Sequence, residues 1–170
     1  PEITMPYIID MADLKLDKGM LVVDSQEFNF PVATLKGRLG FADIKLAELY
    51  AESPWGNLQL RGSQAFQARY NSKLKGTWDM PLGEKHLNTS FSLLGDGDEL
   101  NLELATAGLV ESQVDIQLAW LMTNLPFDIR ADLTKELVLL EEQLNLSSFS
   151  LNASGDLASY QLQLLSDFAG

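Results

Sequence analysis

The feature that most constrains this chain is a strict alternation of apolar and polar side chains, punctuated by glycine. The clearest copy closes the sequence: Tyr160, Leu162 and Leu164 alternate with Ser159, Gln161 and Gln163, with Gly155 before them and Gly170 after. Side chains on a strand point to opposite faces with period two, so such a segment has one oily face and one wet face. A pattern with that beat fits a β-strand and does not fit an amphipathic helix.

The same beat returns along most of the chain. Leu58 and Leu60 oppose Asn57, Gln59 and Arg61, and Leu87, Phe91 and Leu93 oppose Asn88, Ser90 and Ser92. Leu100, Leu102 and Leu104 oppose Asn101 and Glu103; Val114, Ile116, Leu118 and Trp120 oppose Gln113, Asp115 and Gln117; Phe127, Ile129, Ala131 and Leu133 oppose Asp128, Arg130 and Asp132. Nearer the N-terminus the pattern suggests short strands over 3–9, 13–16, 20–23 and 26–32, then a longer apolar-periodic run through Leu35, Gly37, Leu39 and Phe41. Turn chemistry separates the segments. Ser53-Pro54-Trp55-Gly56 and Pro81-Leu82-Gly83 combine a fixed φ with a residue free to take positive φ, and Asp96-Gly97-Asp98-Glu99 suits a tight hairpin. Strands at intervals of about a dozen residues predict an all-β antiparallel meander.

Two stretches break the alternation. Over 132–146, Leu133, Leu137, Leu140 and Leu144 recur at helical spacing, so helix and strand both stand as readings there. Residues 43–51 look helix-like in the same way. Further on, Leu144 and Leu146 share one parity while Phe149, Leu151 and Ala153 take the other. A bulge or turn near Ser147-Ser148 would re-aim the strand.

Composition narrows the function. The net charge is −12, from 24 acids against 12 bases, which argues against binding nucleic acid, where clustered Lys and Arg displace counterions. With no cysteine, disulfides, thiolate metal sites and cysteine nucleophiles are excluded. No stretch reaches the roughly 18–20 apolar residues of a membrane-spanning helix. The sequence opens on Pro1, and we read residues 1–170 as one β-repeat segment of a longer protein.

Catalytic motifs are absent. His86 is the sole histidine, in a turn beside Lys85, where a solvated side chain is the simpler reading. No G-x-S-x-G elbow presents a serine. The acids after Asp96 do not complete a calcium loop, because strand alternation resumes at Asn101. Glu141 and Glu142 are adjacent and point apart on a strand, so they read as a solvated rim. The chain is read as a non-enzyme without cofactor or metal.

The phrase running from Gly155 through Tyr160-Gln161-Leu162-Gln163-Leu164 to Gly170 resembles the repeats of the AsmA-like envelope proteins, most nearly the inner-membrane type that serves a translocation and assembly module. An echo runs from Gly62 through Tyr70 to Gly76, and Ser53 through Gly62 keeps the same register. The opening residues 3–9, followed by Leu14-Lys15-Leu16, resemble the family's entry into its periplasmic repeats. The resemblance implies a long antiparallel sheet folded lengthwise into a trough, a β-taco, with an apolar concave face. It also implies a periplasmic location, an inner-membrane anchor in a part of the parent protein outside this segment, and an outer-membrane barrel partner. It further implies work in phospholipid transport between the inner and outer membranes or in outer-membrane protein assembly.

On that reading the groove is lined by Leu102, Leu104, Val114, Ile116, Leu118, Trp120, Phe127, Ile129, Tyr160, Leu162 and Leu164. Its cargo would be phospholipid acyl chains or nascent outer-membrane strands, the latter captured by strand pairing. A passive structural spacer is a further reading. The pattern by itself favours a closed β-sandwich in which these residues form the core, and it is the resemblance that turns the reading to the open trough.

Overall fold

The computed structural model describes residues 6–23, 26–67, 70–139 and 144–169. Its strands are β1 (Ile9–Val23), β2 (Gln26–Leu39), β3 (Asp43–Ser53), β4 (Gly56–Ala65), β5 (Ser72–Leu82), β6 (Lys85–Asp96), β7 (Glu99–Gly108), β8 (Ser112–Ala119), β9 (Phe127–Leu133), β10 (Leu137–Leu139), β11 (Leu144–Gly155) and β12 (Tyr160–Ala169). All belong to one twelve-stranded sheet, and every pairing is antiparallel. From β1 to β9 each strand pairs with the next in sequence. Strands β9 and β10 then share one edge of β11, opposite its residues 150–155 and 144–146, and β12 takes the other edge. Tight turns make the meander possible: Leu82 pairs Lys85 around Gly83, and Asp96 pairs Glu99 around Gly97, both glycines with φ near +67° to +68°.

The sheet curls into a trough and does not close into a barrel. A closed sandwich is not formed either. Each strand touches only its sheet neighbours, and among the described residues Ala51 is the one buried hydrophobic side chain. The accessible surface is 11776 Å², against about 8,300 Å² expected for a compact protein of 18.8 kDa. A sandwich would have spent that surplus on a two-layer core. Here the apolar side is half-shielded by neighbouring side chains instead: along β4, Leu58 and Leu60 are half-buried while Asn57, Gln59 and Arg61 are exposed.

Several local expectations change. The segments 13–16 and 20–23 are one strand, β1, and 26–32 with the following run is one strand, β2. The helix-like 43–51 is strand β3 carrying a bulge: its register on β4 slips between Leu46 and Leu49. Ile44 and Leu46 before the slip, and Leu49 and Ala51 after it, therefore share a face at a spacing that imitates a helix. The 132–146 ladder has the same kind of origin, since Leu133 ends β9, residues 134–136 break the strand, and Leu137 resumes as β10. The expected re-aiming near Ser147 is present, with the β11–β12 register slipping between Leu146 and Ser148. Residues 3–5, Leu140, Glu141 and Glu142 lie outside the described residues. The turn expected at Pro81-Leu82-Gly83 sits slightly later, at Gly83-Glu84, with Pro81 and Leu82 still in β5.

Candidate functional site

Directly opposed residues on paired strands share a face, so the registers can be read across the sheet. One row runs Leu14, Leu35, Leu49, Leu60, Gly76, Phe91, Leu104, Val114, Ala131, Leu151 and Leu164. The row beside it runs Met11, Gly37, Leu46, Gly62, Leu74, Leu93, Leu102, Ile116, Ile129, Ala153 and Leu162. Both contain only apolar side chains or glycine. At about 4.8 Å per strand, each row is about 50 Å long.

Bulges keep the rows intact. Without the extra residue in β3, either Ile44 and Leu46 or Leu49 and Ala51 would turn to the wet face. The rows also interlock: a side chain at Gly76 would collide with the Phe91 ring and a Leu60 methyl, which already fill that space. The ends of the trough are the most open, with Tyr160 69%, Leu162 63% and Leu164 55% exposed on β12.

Of the side chains expected to line the groove, Leu102, Leu104, Val114, Ile116, Leu118, Phe127, Ile129, Tyr160, Leu162 and Leu164 fall on this one face. Trp120 stands apart. It follows the end of β8 in a turn, where its indole N–H donates to the Gly97 carbonyl at 3.1 Å. The face extends well beyond the expected set, through Leu49, Leu60, Leu74, Phe91 and Leu93. Alternation in β4 and β6 marks some of these in the sequence, but the β3 bulge hides the phase that joins them.

The opposite face is polar. A shallow groove of about 770 Å³ crosses it, bounded by side chains of Gln59, Arg61, Lys75, Thr77, Ser90, Ser92, Glu103 and Gln113. This groove is wet and charged, so it is a poor receptacle for hydrocarbon; the apolar rows are the better candidate. Also on this face, Tyr50 donates its hydroxyl to Glu52 at 2.8 Å. That hydrogen bond, followed by slight burial and the nearby negative charge, raises the phenol's pKa above its ordinary value. His86 Nδ1 lies 3.0 Å from Asp79 Oδ1, both side chains exposed on the β5–β6 hairpin. Among the described residues no cluster of histidine and carboxylate side chains is arranged to hold a metal.

The family model described as TamB, N-terminal domain, matches residues 1–170. No match is found among curated proteins or among solved structures.

Proposed function

The chain belongs to the TamB N-terminal domain family, a family of envelope proteins, and from that premise we propose that its apolar face is a groove for phospholipid acyl chains in transit between the inner and outer membranes. The observation that carries the reading is the pair of unbroken apolar rows crossing the sheet from β1 to β12 with no second layer over them. Each methylene moved from water onto such a surface gains up to about 0.8 kcal/mol. One leaflet's hydrocarbon is about 15 Å deep, so an acyl chain would cover only three or four strands of a row about 50 Å long. Such a chain could advance by exchanging one set of leucines for the next, while its headgroup stays in water at the open side.

In this reading the segment stands in the periplasm, the parent protein's anchor lies in the inner membrane, and a TamA-like outer-membrane barrel receives what the trough delivers. The groove residues are those named above on the central and C-terminal strands, with Ile116 eighth of the eleven positions in its row.

A second reading has an unpaired edge of the sheet template nascent outer-membrane strands by strand pairing. The outer edge of β12 favours it: no strand pairs there among the described residues, and an added strand would prolong both rows.

Native mass spectrometry of the purified chain, with organic extraction, tests the proposal. Phospholipid should accompany the unmodified chain and the polar-face control Gln117→Asp, and be lost from Ile116→Asp with the strand content unchanged by circular dichroism. Lipid-free protein, or lipid retained in folded Ile116→Asp, would overturn the conduit. Capture of a β-hairpin peptide from an outer-membrane barrel by that lipid-free chain would favour templating.

A further inference from the structure

The polar face carries an ordered charge pattern, and Arg130 on β9 stands directly opposite its acidic end at Asp115. Arg61, Lys75, Ser92, Glu103 and Asp115 stand directly opposite one another in one transverse row across β4, β5, β6, β7 and β8. Read across the sheet, the row is two positive charges, a hydroxyl and two negative charges. Like charges directly opposed on neighbouring strands are unfavourable, and this row has two such pairs, Arg61 with Lys75 and Glu103 with Asp115. Among the described residues none of the four makes an ion pair; Asp115 accepts only a hydrogen bond from Gln113 at 3.2 Å.

The surface that complements this row must carry the reverse order at the same spacing. An anionic membrane or a nucleic acid would match the basic half and repel the acidic half. The row read from its other end has the required order. We infer that the polar face binds a second copy of this chain, back to back, about a two-fold axis parallel to β6.

That axis sets β5 of one copy over β7 of the other, and β4 over β8, so Lys75 meets Glu103 and Arg61 meets Asp115, each pair twice. An axis along the row would instead set each charge on itself. The pattern continues outward without a clash: Glu48 on β3 and Arg130 on β9 exchange places in the same way, as do Lys45 and Asp128. On the axis itself, Ser90 and Ser92 face their own copies across the groove. Leu94, 45% exposed on this largely polar face, meets its own copy and leaves water.

The contact strip is roughly 20 Å by 20 Å on each copy, about 800 Å² in total and below the standard range for specific interfaces, so the dimer is weak and salt-sensitive. It uses the face opposite the apolar rows and leaves those free, so it does not depend on the lipid reading.

Sedimentation equilibrium and a charge swap test the inference. The unmodified chain should self-associate at about 0.05 M salt and dissociate towards 0.5 M. Arg61→Glu with Lys75→Glu gives an all-acidic row, and Glu103→Lys with Asp115→Lys an all-basic one. Each variant alone should lose self-association by roughly a hundredfold or more. An equimolar mixture should form the heterodimer, because each now presents what the other lacks. Circular dichroism of each variant separates misfolding from lost association. A monomeric unmodified chain at low salt, dimers that survive either reversal, or folded variants that fail to pair on mixing would each overturn it. Lipid retention in the reversed variants reports separately on the apolar face.

Discussion

Position 76 is occupied by glycine because its neighbours have taken the space a side chain would need. The Phe91 ring and a Leu60 methyl lie over its Cα, and the Gln59 carbonyl closes the remaining side. Gly76→Ala should therefore cost about 1–3 kcal/mol of stability by overpacking, and Phe91→Leu in the same chain should recover part of it. Urea midpoints of the two variants check this; an unchanged midpoint for Gly76→Ala would mean that the rows do not interlock. A second residue-scale case holds the break between β9 and β10. Lys135 Nζ lies 2.8 Å from Glu111 Oε1, and the Thr134 amide donates to the Glu111 carbonyl at 2.8 Å. The hydrogen bond from Lys135, then the attraction of the carboxylate, raises the amine's pKa above the ordinary lysine value. A raised pKa on a base means that the pair favours the folded state fully below the unfolded lysine's pKa and ceases to do so as pH rises through the folded one. NMR titration should find Lys135 losing its proton above the ordinary lysine pKa, with Glu111→Gln bringing it back; an unchanged titration in Glu111→Gln would show that the pair does not persist in solution. Neither contact is visible in the sequence, because both join residues whose neighbourhood depends on register.

At the scale of the element, the bulges reconcile an imperfect alternation with a continuous face. A strand with one extra residue changes parity, and the β3 slip between Leu46 and Leu49 lets four apolar side chains stay on the apolar side. Deleting Ala47 would force half of them into water. The expected loss is about 2–4 kcal/mol, taking each side chain as partly exposed already, and chemical denaturation measures it. A deletion variant as stable as the parent would show that the bulge is incidental. The bulge explains why 43–51 has a helical look: spacing of two, three and two across a slip imitates three and four along a helix. The alternation of β7, β8, β9 and β12 was fully legible because those strands have no slip within the stretches read. Proline placement follows the pairing too. Pro31 interrupts β2 beyond the point where β3 begins to pair, at Ala33, so its missing N–H breaks no ladder bond on that side.

Among the described residues the chain is a sheet without a second layer, and its energetics should show it. With 11776 Å² exposed, the chain buries less on folding than a compact protein of equal mass, and its urea m-value should be about four fifths of that protein's. An m-value equal to the compact expectation would indicate a layer packed over the apolar face. From the sequence alone come the all-β class, the antiparallel meander, most hairpin turns, the phase change near Ser147 and the apolar parity of the C-terminal strands, because alternation and turn chemistry are local properties. The tertiary structure alone decided that the sheet stays open, that the rows extend across β3 to β6, and that Arg61, Lys75, Glu103 and Asp115 fall into one line. Those properties depend on which residue stands opposite which. Register is set by the sum of every turn and bulge between two strands, and no single segment of sequence contains that sum.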